Sequence, residues 1–333
     1  MAVTHRRELR RDPTTGSWVA LSEERVLRPV SSSGADGPLA VPASSCPFCP
    51  GHEEHTPPTI AAHTDPEGRW NARAFANKFP GVRVEGDVGA WGHGPADGMG
   101  GVGAHEVVVE CRGHEGPWHR GDPSSLPAGL VLAQARLVDL LRDQRMTTTL
   151  WFRNVGAPAG ASQSHPHAQL VALPIVPSIH AEMASRASRF QTDRGHDLLG
   201  EVVATARASE RWLSGGPVVA FCPYAPMSPY EVWLVPGEPE PRFQDADEAT
   251  VVALAHTMAR VLTGYDAVLG PASYNAILYT APRGHEAGFR WHVRLRPRVS
   301  RLAGFELATG GVMHHVFPET AAQRLTAAVM PSR

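Results

Sequence analysis

The sequence predicts an α+β fold built from one unit used twice, and two observations carry that prediction. Helical apolar patterns alternate with β-branched, aromatic stretches, and one order of such segments occurs twice along the chain. In the first copy, Phe75-Ala-Asn-Lys-Phe-Pro80 is followed by Glu106-Val-Val-Val-Glu110, a helix, a strand and Gln163 to Leu173. In the second, Phe221-Cys-Pro-Tyr-Ala-Pro226 is followed by Glu231-Val-Trp-Leu-Val-Pro236, a helix, a strand near Asn275 to Tyr279, and Trp291-His-Val-Arg-Leu-Arg-Pro297. The units are expected to span residues 1–177 and 178–333. Only the first carries His-x-His, so the chemistry is expected to have one home.

In chain order, Ser31 to Ser45 lacks hydrophobic periodicity and reads as a mobile loop leading into Cys46. Glu85 to Ala104 is crowded with glycine and reads as a flexible connection. Its Gly98-Met-Gly-Gly-Val-Gly103 matches GxGxxG only formally, because a dinucleotide loop must follow a strand and open a helix, whereas this one precedes the strand His105 to Glu110. Leu126 to Arg145 has helical apolar spacing with caps expected at Ser124 or Ser125, and Thr147 to Phe152 follows as a strand. A Gly/Ala-rich loop, Asn154 to Ala161, then feeds Ser162 to Leu173, an extended stretch whose alternate side chains share a face. Further helices are expected at about Leu198 to Leu213, Asp247 to Leu262 and after Pro318. Strands are expected at Val218 to Phe221, Glu231 to Val235, Tyr274 to Tyr279 and Phe289 to Leu295.

The 333 residues carry a formal net charge of −2, which gives no global electrostatic reason to expect nucleic acid or an anionic membrane as partner. No run of about 18 apolar residues exists to span a bilayer, and the N-terminus leads into no apolar signal segment, so a cytoplasmic protein is expected. Four cysteines in a chain this long do not make a disulfide scaffold. Cys46-Pro-Phe-Cys49 can be read as a metal site, a redox dithiol or two small buried residues. The redox reading is the weakest, because that motif normally opens a helix after a strand. A closed tetrahedral zinc site would need two more ligands, for which His114 and His165 compete with His52, His55, His63 and His119. His165-Pro-His167 places two imidazoles on one face with Gln169 beside them, and by itself it fits a metal pair or two surface histidines as well as a nucleophile. The Gly/Ala/Ser-rich approach, including Gly160 and Ser162, offers backbone N–H groups suited to phosphate oxygens and tilts the reading towards chemistry.

Taken in order, Cys46-Pro-Phe-Cys-x-Gly51, Asn77-x-Phe-Pro80, His105-Glu-Val-Val-Val-Glu110, Asn154-x-Gly156 and Gly160-Ala-Ser-x-Ser-His-Pro-His-x-Gln169 resemble the galactose-1-phosphate uridylyltransferase family. This family is the transferase branch of the histidine-triad superfamily, and the similarity runs from about Arg11 to Ala328. Gly160 to Pro177 and Gly304 to Gly311 are closer still to its ADP-glucose phosphorylase-like members. The resemblance implies a duplicated histidine-triad (HIT-like) fold, a mainly antiparallel sheet with flanking helices, whose second copy is degenerate. It implies that His167 attacks the α-phosphorus of a nucleotide sugar, with Gln169 and Ser162 on the phosphate. By the same resemblance Arg25, Arg28, Asn77, Asn154, Gly160, Phe305 and Glu306 contact substrate, and Cys46, Cys49, His114 and His165 hold one structural Zn2+.

The expected activity is uridylyl exchange between UDP-glucose and a hexose 1-phosphate, with adenylyl transfer from ADP-glucose to phosphate as the nearest alternative. A hydrolase of the same superfamily and a non-catalytic zinc-binding protein are further alternatives. Against the hydrolase stands Gln169: hydrolases of the superfamily carry a histidine there that trades protons with a leaving group or water, and an amide cannot titrate. The resemblance also implies a homodimer that shares its sites through Gly304 to Gly311. Three departures bear on the base and sugar: Lys78 where the transferases are often acidic, Phe305 for tyrosine, and His314 where the phosphorylase-like members usually have asparagine. Where many relatives build a second metal site, this chain offers Tyr279, Arg290, His292 and Arg294, so one metal is expected.

Overall fold

The computed structural model describes residues 6–27, 42–114, 118–121, 123, 125–300 and 303–329. Strands β1 (Arg7–Arg11) and β2 (Trp18–Ser22) pair antiparallel, and a late strand joins them below. The first unit then runs β3 (Thr59–Thr64), β4 (Trp70–Ala76), a hairpin of β5 (Ala90–His93) and β6 (Ala96–Met99), β7 (Ala104–Val109), helix α1 (Ala128–Leu140), β8 (Thr148–Val155) and β9 (His167–Leu173). Helices α2 (Ser178–Arg194) and α3 (Leu198–Arg207) lead into the second unit: β10 (Trp212–Ser214), β11 (Val218–Phe221), β12 (Val232–Pro236), α4 (Glu248–Leu269), β13 (Tyr274–Tyr279) and β14 (His292–Pro297). Helix α5 (Gly304–Thr309), β15 (Val312–His314), which lies parallel to β2, and α6 (Pro318–Val329) complete the chain.

Ten strands form one sheet in the order β10-β11-β12-β14-β13-β8-β9-β7-β4-β3. Read outward from the β8–β13 seam, the two halves repeat one another, β8-β9-β7-β4-β3 against β13-β14-β12-β11-β10, with antiparallel pairing throughout. The α+β class and the duplication expected from the sequence are the observed architecture.

Alternation along the strands divides the core. Ala72, Ala74, Val108, Ala168 and Leu170 of the first half, and Val218, Ala220, Val232, Leu234 and Ala276 of the second, share one buried cluster with residues of α1, α4 and α6. On the opposite face the halves differ. Val219, Phe221, Trp233 and Val235 lie under α3, and Tyr279 lies under Met183 and Ala187 of α2. Over the first half that face carries the Cys46–Cys49 segment, packed on Phe75, Val107 and Val109. Among the described residues no helix covers it.

Several sequence expectations are corrected. Glu85 to Ala104 is not merely a connection but holds the β5–β6 hairpin, turned at Gly94 (φ +60°). Helix α1 is shorter than expected and starts after Pro127, which offers no side-chain cap; the Ser125 carbonyl accepts from the Ala128 N–H, and Ser124 lies outside the described residues. Helix α3 ends at Arg207, because Trp212 and Leu213, which seemed to extend its periodicity, belong to β10, which pairs with β11 instead. Tertiary pairing overrides local pattern there. Helix α4 runs on to Leu269, and β14 starts at His292 because Phe289 and Trp291 spend their N–H groups on Glu286 and Glu240 carbonyls. Helix α2 escaped notice because its buried stripe, His180, Met183, Ala184 and Ala187, has helical spacing but little apolar bulk. Helix α5 likewise buries none of its residues. Of the loop expected at Ser31 to Ser45, only residues 42–45 lie among the described residues, and Ala43–Ser45 forms a single 3-10 turn.

Candidate active site

The Cys-Pro-Phe-Cys segment folds as a knuckle. The Phe48 N–H points at Cys46 Sγ (3.4 Å), and His52 Nδ1 sits 2.7 Å from the Cys46 carbonyl. The buried Arg73 guanidinium ties the segment down through Thr56 Oγ1 (2.9 Å) and the Pro47 carbonyl (3.3 Å). Ligand atoms of Cys46, Cys49, His114 and His165 all lie within 4.8 Å of one another. The individual separations are 3.8 Å from His165 Nδ1 to Cys46 Sγ, 3.6 Å to Cys49 Sγ, and 3.3 Å from His114 Nδ1 to Cys49 Sγ. A tetrahedral zinc with sulfur at about 2.3 Å and nitrogen at about 2.0–2.1 Å requires sulfur and nitrogen about 3.6 Å apart, so the donor set fits such an ion.

His165 is also prepared as a ligand: its Nε2 donates to the Cys111 carbonyl (2.9 Å), which leaves the Nδ1 lone pair facing the sulfurs. Burial pushes its pKa down to about 4, so the ring is neutral. The four residues can therefore hold a metal ion. Of the rival histidines, His119 is bound to Asp266 (2.7 Å), and His52 and His55 face each other at 5.8 Å; neither these nor His63 joins the group.

His167 opens β9, buried beside Phe48 with ring centroids 5.3 Å apart. Its Nδ1 donates to the His165 carbonyl (2.8 Å), so Nε2 carries the free lone pair. Burial lowers its pKa, opposed by that bond and assisted by Arg153. Two residues on and on the same face, Gln169 Oε1 lies 2.9 Å from His105 Nε2. Asn77 Nδ2 reaches the same ring nitrogen at 3.1 Å. Sequence reasoning quoted the His105 strand but gave His105 no part in the site. The signal was the register, Val107 opposite Gln169, which sets His105 diagonally across from it.

Asn154 lies one residue before the end of β8 at the seam, where Asn275 of the second half donates to its Oδ1 (2.8 Å) and to the Ala159 carbonyl (2.9 Å). Asn275 is a second residue missed by sequence reasoning. The following turn needs its glycines: Gly156 has φ +81°, and a Cβ there would meet Ser273 Oγ at 2.0 Å; Gly160 has φ +84° beside Asn154. Ser162 is exposed on the loop that follows.

A separate group forms around α5. Glu306 accepts from the Ala303 and Met313 N–H groups, its pKa is lowered, and Arg25 lies close enough to contribute to that shift. Phe305 is exposed beside it. No hydrogen bond or ion pair between described residues links this group to His167 or Gln169, and Arg28 lies outside the described residues. His314 is buried and donates to the Pro226 carbonyl (2.9 Å).

The second half shows what became of the matching site. Pairing of Ile277 with Arg294 repeats that of Phe152 with Gln169, so Arg294 stands where Gln169 does and His292 where His167 does. His292 Nδ1 again faces the carbonyl two residues back, Arg290 (3.2 Å). Here, though, Arg294 Nε donates into His292 Nε2 (3.1 Å), and the guanidinium reaches Asp12 (3.1 Å) and Thr14 (2.6 Å) over Trp233. The nitrogen that would attack is thereby spent on the guanidinium.

Residues 131–184 match the family model described as the Ap4A phosphorylase N-terminal domain. The chain is 28% identical to an ADP-glucose phosphorylase of Arabidopsis thaliana over 324 residues, 95% of this chain and 91% of that protein. It is 25% identical to a galactose-1-phosphate uridylyltransferase of Thermotoga maritima over 339 residues, covering 96% and 97%. The chain is thus similar over nearly its whole length both to a galactose-1-phosphate uridylyltransferase and to an ADP-glucose phosphorylase. A crystal structure of an Arabidopsis ADP-glucose phosphorylase with bound ADP-glucose superposes with a TM-score of 0.83 at 26% identity, covering 96% of this chain and 98% of that one. A uridylyltransferase structure, at 23% identity, shares the fold with a TM-score of 0.74. No helix among the described residues is long and apolar enough to cross a membrane.

Proposed function

We propose that this homologue is a nucleotidyltransferase that moves a nucleoside monophosphate from a nucleotide sugar to an acceptor phosphate through a covalent intermediate on His167. The observation that carries the reading is His167 itself: a neutral ring held by its Nδ1–H on the His165 carbonyl, with the Nε2 lone pair left for attack. In the first half-reaction Nε2 bonds to the α-phosphorus, the bond from that phosphorus to the bridging oxygen breaks, and hexose 1-phosphate leaves with the electron pair. In the second, an acceptor phosphate oxygen attacks the same phosphorus and the P–N bond breaks. The leaving group is a stable anion that needs no general acid, which suits Gln169 and disfavours hydrolysis.

The metal is zinc in this reading, one per chain, bound by Cys46, Cys49, His114 and His165; it pins the strand entry before His167. The unit of residues 1–177 supplies this chemistry and that of 178–333 the supporting half. Arg25, Arg28, Phe305 and Glu306 serve the sugar end, and the exposed Phe305 and Leu307 support a homodimer in which α5 completes a neighbouring site. We place the reaction in the cytoplasm.

The uridylyl version takes UDP-glucose and a hexose 1-phosphate. The adenylyl version, ADP-glucose and phosphate, is favoured by the closer superposition on the ADP-glucose phosphorylase. Intact-protein mass after incubation with UDP-glucose, ADP-glucose or a GDP-sugar names the nucleotide, because the added mass is that of the transferred group. An unmodified chain with all three refutes the mechanism.

A further inference from the structure

Resting on the reading that His167 is nucleotidylated, we infer that His105 is a positioning residue which fixes the orientation of the Gln169 amide so that its NH2, not its carbonyl oxygen, is offered to the phosphate. The argument turns on which nitrogen of His105 carries the proton. Three groups face the ring: the Gly81 backbone N–H at Nδ1 (3.2 Å), and Gln169 Oε1 (2.9 Å) and Asn77 Nδ2 (3.1 Å) at Nε2. Side-chain amides can be turned end for end, but a backbone N–H cannot. Gly81 therefore decides: its N–H needs a lone pair on Nδ1, so the neutral ring carries its proton on Nε2. Asn77, whose Oδ1 accepts from the Phe79 N–H (2.9 Å), turns its NH2 towards the same Nε2, but that side chain can rotate away from a second donor whereas the Gly81 N–H is fixed by the main chain, so the proton stays on Nε2. The acceptor for Nε2–H is Gln169 Oε1.

The consequence for the site follows from the amide's two ends. With Oε1 taken by His105, the remaining polar group of Gln169 is its NH2, a donor, which is what an anionic phosphoryl oxygen requires. Were the amide free to turn, half of its orientations would present an oxygen to an oxygen. The strand register makes the device possible: His105, Val107 and Val109 of β7 share the face on which His167 and Gln169 stand, with Val109 opposite His167 and Val107 opposite Gln169. The loop that supplies Asn77 and Gly81 is held to the same strand, since the Asn77 N–H donates to the His105 carbonyl (2.8 Å).

The test combines a tautomer with a double-mutant cycle. In 15N-histidine-labelled wild type, His105 is expected as the Nε2–H tautomer; an Nδ1–H tautomer overturns the inference without reference to turnover. His105→Phe keeps a ring but offers no polar atom, and is expected to slow single-turnover adduct formation on the order of tenfold while zinc content holds. His105→Gln, which places an NH2 near the old Nε2, is expected to recover rate, and His105→Asn, which cannot reach, is not. In a Gln169→Ala background, His105→Phe is expected to cost nothing further. Equal losses in both backgrounds, or no recovery by His105→Gln, overturn the positioning role while leaving the nucleotidyl-histidine standing. A wild type that forms no adduct overturns both.

Discussion

Arg294→Met tests the second half's filled site. Its guanidinium is fully buried and meets Asp12, also buried, at 3.1 Å; Asp12 keeps two further bonds, from the Thr14 N–H (2.8 Å) and Thr14 Oγ1 (2.7 Å). Removing one partner of a buried ion pair costs about 3–5 kcal/mol because the other charge is stranded. The surviving Thr14 bonds argue for the lower end, and about 3 kcal/mol corresponds to roughly a 150-fold loss in the folded-to-unfolded ratio. The sign of the pH dependence follows from Asp12. Burial alone would raise its pKa, but Arg294 and the Thr14 bonds outweigh it and hold the value below the ordinary one. In the wild type, then, the carboxylate's contribution is full above the unfolded pKa, about 3.9, and is lost as pH falls through the lower folded value. In Arg294→Met the cation that opposes burial is gone, so the folded pKa rises from its wild-type value, and the variant's penalty is largest near pH 7 and shrinks as the pH falls through the two folded values. Urea titrations at several pH values measure the gap. Asp12→Asn/Arg294→Met should be more stable than Arg294→Met alone by about 1 kcal/mol or more. A gap that does not vary with pH, together with additive substitutions, would refute the reasoning.

Cys46→Ser should lower bound zinc, read by elemental analysis, and the urea midpoint together; full occupancy in that variant would remove Cys46 from the ligand set. His167→Asn should form no nucleotidyl adduct while keeping the wild-type circular dichroism spectrum, and near-native turnover would sink the covalent step. Gly156→Ala combines left-handed backbone with a Cβ 2.0 Å from Ser273 Oγ, whereas Gly51→Ala has positive φ (+88°) and open space around it. The first should cost more than about 2 kcal/mol and the second about 1 kcal/mol in denaturant midpoints, and equal losses would show that Ser273 yields freely.

Much of this was legible because local chemistry and chain order coincide. The repeat of Phe75-to-Pro80 and Phe221-to-Pro226 announced a duplicated unit, and Cys46-x-x-Cys49 with His165-Pro-His167 named residues that come together. What stayed hidden depends on contacts between distant segments. Trp212 and Leu213 continue a helical pattern and only their pairing partner makes a strand of that stretch; helix α2 is polar enough to need the second half's face to justify it. His105 and Asn275 are ordinary residues on ordinary strands until register sets one beside Gln169 and the other beside Asn154. Arg294 showed in the sequence only as a departure, and its role emerged when Asp12, 282 positions away, proved to be its partner.

The β8–β13 seam, across which Asn275 holds Asn154, ties the fate of the two halves together. After a duplication, the copy without His-x-His is free to lose its histidines but not its outline, since its strand β13 continues the other copy's sheet and its asparagine holds Asn154. Drift in the second half is therefore filtered by geometry: substitutions that keep β13 straight and Asn275 in place pass unnoticed, and those that bend it act as if they had struck the half that carries His167.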